Sequence, residues 1–165
     1  MRRVTLFTAA CLVLGTGLMI AHPHFSKTVT ADLQGTVLKL SFTTYPYNEE
    51  RLAQVQPGFV FHCGRASLTV EGNLTSGGQA IPPGEYAVRA RAKSLDDWEL
   101  LLIPSGDAQN VDLSRAIRLE STTLKGLPEV YHLDLDLYSG HGSTDGKMIL
   151  AVAFGERRVE GVLGL

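Results

Sequence analysis

Between residues 80 and 106 the pattern of apolar and polar positions changes from one kind of strand to another. Pro82-Pro83-Gly84 opens the stretch as a turn, with proline presetting φ and glycine relaxing it. Tyr86, Val88 and Ala90 then alternate with Arg89 and Arg91, the period of two that predicts a strand wet on one face. After a turn at 94–97, residues 98–103 are apolar at all but one position, which predicts a strand covered on both faces. The two together predict a central hairpin around which the other elements are laid.

The rest of the chain reads as more strands. Residues 28–33 and 36–43 flank Gln34-Gly35 as a hairpin, with Leu38, Leu40 and Phe42 inward and Lys39 and Ser41 outward. Pro46 breaks the pattern between Tyr45 and Tyr47. Asn48 is a suitable N-cap for a short helix from 49 to about 55, and Glu49 and Glu50 suit the positive end of its dipole. Short strands at 59–61 and 66–71 flank His62-Cys63-Gly64, and 72–78 reads as a loop. A strand at 116–124 is stopped by Gly126-Leu127-Pro128. Residues 129–138 alternate most cleanly, with Leu133, Leu135 and Leu137 on one face and His132, Asp134, Asp136 and Tyr138 on the other. A loop at 139–146 leads to a last pair at 147–154 and 157–163. About nine strands, one short helix and no repeat or linker predict an all-β fold: a single antiparallel, immunoglobulin-like β-sandwich over 22–165. Tyr86, Trp98, Leu100, Leu133, Leu135 and Phe154 are its expected core.

Composition changes this picture mainly at the N-terminus. Arg2 and Arg3 followed by apolar or small residues over 4–21 have the layout of a secretory signal peptide (residues 1–21), with Ala21 before the cut. The alternative is an uncleaved membrane anchor, which would be the chain's only membrane contact. Export places the protein in the periplasm or outside the cell. Losing Arg2 and Arg3 takes the formal net charge from −2 to −4. With no basic run in the chain, nucleic acid is not an expected partner. Cys63 is then the only cysteine, so core packing rather than a disulfide must hold the fold. It reads as a buried small hydrophobe.

The segments G-Q-A-I-P-P-G-E-Y-A-V, D-D-W-E-L-L-L-I and M-I-L-A-V-A-F-G-E-R-R-V resemble an exported bacterial family, the domain-of-unknown-function family numbered 2911. Its members carry a similar G-x-x-(I/L)-P-A-G-x-Y hairpin and a tryptophan opening the next strand. The resemblance covers most of 59–159. The chain departs from it at His62-Cys63-Gly64-Arg65, where a T-G-A-N type segment is usual, and at its H-P-H-F start. An exported β-domain is what the resemblance implies, and it implies no activity.

Three groups of residues invite chemistry. Cleavage after Ala21 makes His22 the first residue, and its amine and imidazole can then chelate copper as a histidine brace. His24, His141 or His132 supplies a further imidazole, with His141 preferred because a loop can adapt. Pro23 has no N–H to lose, so it excludes the rival square-planar amide site and leaves the brace unharmed. The terminus is similar to those of histidine-brace copper proteins, such as periplasmic copper carriers and lytic polysaccharide monooxygenases. The plainer reading is a frayed end. His62 beside Cys63 offers a ligand or a nucleophile, or simply ordinary packing. Tyr45, Tyr47, Phe59 and Phe61 form either an aromatic platform for a sugar or another ligand, or part of the core and its lid. The expected function is a non-catalytic exported domain that binds copper at its processed terminus. The alternatives are a copper oxidoreductase and a metal-free envelope domain that binds other proteins.

Overall fold

Eleven strands, one short α-helix and three 3-10 turns make up the regular structure of the computed structural model, which describes residues 24–105 and 113–165. The signal segment and His22 lie outside the described residues, as do 106–112.

β1 (Ser26–Leu33) and β2 (Thr36–Thr43) form the expected hairpin. Its turn puts Gln34 and Gly35 at φ 51° and 91°, both positive as a tight type I′ turn requires. The carboxylate of Asp32 accepts from Gly35 N–H at 2.8 Å. β2 pairs with β4 (Ser67–Val70), and β4 pairs with β7 (Gly84–Ala92). β7 and β8 (Trp98–Pro104) are the predicted central hairpin, and β9 (Ile117–Arg118) extends the sheet beyond β8. β3 (Val60–Phe61) also pairs with β7, completing a seven-stranded antiparallel sheet. β5 (Leu74–Ser76) and β6 (Gln79–Ile81) form a separate small hairpin.

The second layer is a long hairpin of β10 (Glu120–Ser139) and β11 (Met148–Leu163). One core joins the layers. Leu38, Leu40, Leu68, Val88 and Leu100 enter it from the sheet, and Leu135, Leu150, Val152 and Val159 from the hairpin. All six residues expected in the core are buried, Trp98 at 1% exposure being the largest. The fold is the expected antiparallel β-sandwich.

Four local expectations are corrected. Residues 147–154 and 157–163 are not a pair of strands but parts of the single strand β11, which pairs with β10 from Met148 to Val162. Gly126-Leu127-Pro128 does not end a strand. The ladder of β10 with β11 shifts register between Lys125 and Val130 and again between Val130 and Asp134, so bulges absorb the proline and the left-handed Gly126. The 72–78 stretch is not all loop, because Gly77 and Gly78, both at positive φ, turn β5 into β6. The arginine face of β7 is not uniformly wet either. Arg89 is buried and donates Nη1–H to Val88 O at 2.9 Å, and Arg91 is half-buried in an ion pair with Glu99 on β8. Leu101 and Ile103 on that same face of β8 are fully buried, as the apolar run predicts. Among the described residues no helix is long and apolar enough to cross a membrane.

Candidate functional site

The site begins where a strand is interrupted. β3 and β4 lie along the same edge of β7, Phe61 opposite Ala90 and Ser67 opposite Ala87. Between them the chain leaves the sheet in a turn in which Cys63, Gly64 and Arg65 have φ of 44°, 66° and 56°. Arg65 N–H to His62 O (3.0 Å) and Ala66 N–H to Cys63 O (3.1 Å) close it. For cysteine and arginine the left-handed region costs about 1–2 kcal/mol each, so the surroundings must enforce it. They do so at two points. Cys63 is fully buried, with Sγ 3.6 Å from Phe61 O. At Gly64 a Cβ would stand 2.1 Å from Thr43 O and 3.1 Å from Leu133 Cδ2, so only glycine lets the turn lie this close to β2. Val88 N–H to Ala66 O (2.9 Å) then resumes the ladder.

Residues 44–59 form a strap over the gap. Leu133 N–H donates to Tyr45 O (2.7 Å) and Tyr47 N–H to Tyr131 O (2.9 Å). β10 has these groups to spare because its ladder with β11 is broken between Val130 and Asp134. Tyr47 lies over Gly155, where a Cβ would be 2.5 Å from the ring's Cζ and φ is +55°. Asn48 Oδ1 then accepts from Arg51 N–H at 2.8 Å and caps α1 (Glu49–Ala53), as expected. The strap returns to β7 through Gly58 N–H to Ala92 O (2.7 Å) and Ala92 N–H to Phe59 O (2.9 Å).

Strap and turn enclose a groove of about 700 Å³, within the range of small-molecule sites. Trp98, Leu133 and Phe154 form its floor, with Trp98 and Phe154 edge to face at 5.5 Å. The indole N–H is satisfied by Leu95 O at 3.0 Å, and all three floor residues are buried apolar side chains at the base of the groove. Tyr45, Tyr47, Phe59 and Phe61, the four aromatics of the expected platform, all line the walls. Leu52 and Val55 of the strap join them. The polar side chains are Asn48, Arg51, His62 and Arg65 with the hydroxyl-bearing Tyr45 and Tyr47, and among the described residues no carboxylate side chain lines the groove. Arg51 and Arg65 are both exposed, and neither makes an ion pair among the described residues.

Burial, and then the charge of Arg89, push the His62 pKa below its ordinary value, which favours the uncharged ring. Burial followed by the nearby Glu49 pushes Tyr47 up. Burial also pushes the Cys63 thiol up to about 12. Sealed behind the turn and protonated, Cys63 packs and does not react, which answers the question raised by His62-Cys63.

The candidate metal ligands are divided. His24 is exposed, its Nδ1–H donates to Thr44 O at 3.0 Å, and its ring stands 4.9 Å from that of Tyr45. His132, also exposed, pairs through its backbone with Pro46, so both residues flank the start of the strap. His141 is elsewhere. Its loop reaches the β1–β2 turn, where Gln34 Nε2–H donates to Gly146 O at 3.5 Å. The length of β1, about 25 Å at the strand repeat, separates His141 from His24. Asp134, between these regions, pairs with Lys27 at 2.7 Å. Among the described residues no three His, Cys, Asp or Glu side chains come together to hold a metal ion.

The chain matches no family model, no curated protein and no solved structure. Reading the sequence alone missed that Arg51, Arg65, Trp98, Leu133 and Phe154 share one site. The signals it held were the Pro46 break and a glycine inside His62-Cys63-Gly64-Arg65.

Proposed function

We propose that this is an exported, non-catalytic β-sandwich domain that binds a small organic ligand in the groove beneath the strap. One observation carries the reading. A groove of about 700 Å³ has the buried Trp98 in its floor and four further aromatics in its walls. Its apolar walls favour binding, and its least solvated nucleophile, Cys63, is out of reach behind the turn. Trp98 is the only tryptophan in the chain, so a ligand on the floor changes the protein's intrinsic emission. Titration with phenylbutanol and phenylbutyrate, which do not absorb where tryptophan is excited, tests the proposal. A saturable change is expected from at least one of the two. Emission that stays flat to the solubility limit of both contradicts it.

A second reading, copper binding at the processed terminus, is supported by the environment of His24. Its Nδ1–H is held by a backbone carbonyl, which leaves the Nε2 lone pair for a metal, as is usual in histidine sites. His22 and His24, with His132 nearby, would be the ligand set. Cu(II) titration of protein beginning at His22, against protein with one extra residue ahead of it, is the test. A brace loses its affinity with the extension because the amine moves away. Equal affinity removes the brace.

A further inference from the structure

The groove's charge narrows its ligand, an inference that rests on the binding role proposed above. The floor and walls are apolar, yet two permanently charged guanidinium groups line the groove from different elements. Arg51 comes from α1 in the strap, and Arg65 from the end of the left-handed turn. Among the described residues no aspartate or glutamate lines the groove to neutralise them, and neither guanidinium is ion-paired. The turn that places Arg65 is held in a left-handed conformation by the close approach of Gly64 to Thr43 O. A neutral sugar could use Asn48, His62 and the Tyr45 and Tyr47 hydroxyls, but it would leave both guanidinium charges without a counter-charge. A neutral apolar ligand would leave both guanidinium groups unused. We infer that the groove takes an amphipathic organic carboxylate: an aromatic or short acyl body against Trp98, Leu133 and Phe154, with its anionic head on Arg51 and Arg65.

Phenylbutyrate and phenylbutanol separate the inference from the reading beneath it, because they share a body and differ in charge. At low salt the acid should bind about tenfold more tightly than the alcohol, the discrimination expected of a charge-assisted hydrogen bond. Added salt should narrow the gap. The double variant Arg51→Gln/Arg65→Gln should bring the acid's affinity down to the alcohol's, leaving the alcohol's affinity and the unfolding midpoint unchanged, since both side chains are exposed. Equal affinities in the wild type, or a preference for the acid that survives the double variant, overturn the carboxylate inference and leave the binding role standing. If neither compound binds, the binding role falls and takes this inference with it.

Discussion

Gly64→Ala is the substitution on which the site's architecture most depends. Two costs combine. Alanine at φ 66° incurs the left-handed penalty, about 1–2 kcal/mol. Its Cβ would also stand 2.1 Å from Thr43 O. That neighbour is backbone at the end of β2 and cannot rotate aside, so turn or strand must move, at about 1–3 kcal/mol for forced overpacking. The expected loss is about 2–5 kcal/mol, a large share of the stability of an ordinary domain. Gly126→Ala is a matched control, because Gly126 has φ +68° but nothing within 4 Å of its Cβ position. It carries only the first cost. Urea denaturation followed by Trp98 emission measures both variants, and their difference isolates the close approach. A difference of about 1–3 kcal/mol is expected. A difference below about 0.5 kcal/mol, the scatter of ordinary surface changes, would refute the claim that the turn is pinned against β2.

Three further changes test other parts of the account. Gly155→Ala meets the Tyr47 ring and not backbone, so stability should fall by only about 1–2 kcal/mol, mostly from φ. Phenylbutyrate affinity should fall as well, and unchanged affinity would mean that Tyr47 does not shape the groove. Cys63 should resist thiol reagents in native buffer at pH 8 and react in denaturant, given a thiol pushed up to about 12; fast native labelling would contradict its burial. His62 resists protonation in the native state, whereas the unfolded chain takes the proton near its ordinary value of about 6.5. The unfolded state therefore binds more protons below that pH, and stability should fall as pH drops through it. His62→Gln should remove part of that slope between pH 7.5 and 5.5, and an unchanged slope would show that the shift is absent.

The sandwich was legible in the sequence because its strands keep a period of two. Leu38, Leu40 and Phe42 alternate on β2, as do Leu133, Leu135 and Leu137 on β10, and all six are buried. The continuity of β10 was not legible. Gly126 and Pro128 read locally as a stop, and only their register against β11 shows that the strand continues. β5 and β6, three residues each, are too short to show a period. The site was half visible. Pro46 marked the strap, and Tyr45, Tyr47, Phe59 and Phe61 were grouped as a possible platform. Trp98, Leu133 and Phe154 read only as core, because a side chain that also floors a groove has the same periodicity as one that does not. Of His62-Cys63-Gly64-Arg65, Cys63 proved to be packing, while the turn around it carries His62 and Arg65 into the groove's lining. The left-handed φ of Cys63 and Arg65 is imposed by packing against β2 and is no preference of those residue types. Sequence position likewise gave no sign that β1 would hold His24 and His141 at opposite ends.

The central claim, that the space beneath the strap is a ligand site, is tested most directly by mapping where phenylbutyrate binds. Amide chemical shifts of isotope-labelled protein should move in one contiguous set as ligand is added. The account predicts that set at 45–65, together with the neighbourhoods of Trp98, Leu133 and Phe154, which line the groove. The amides around His141, at the far end of β1, should stay fixed. Shifts scattered over the surface, or gathered at any other face while 45–65 stay still, would contradict it.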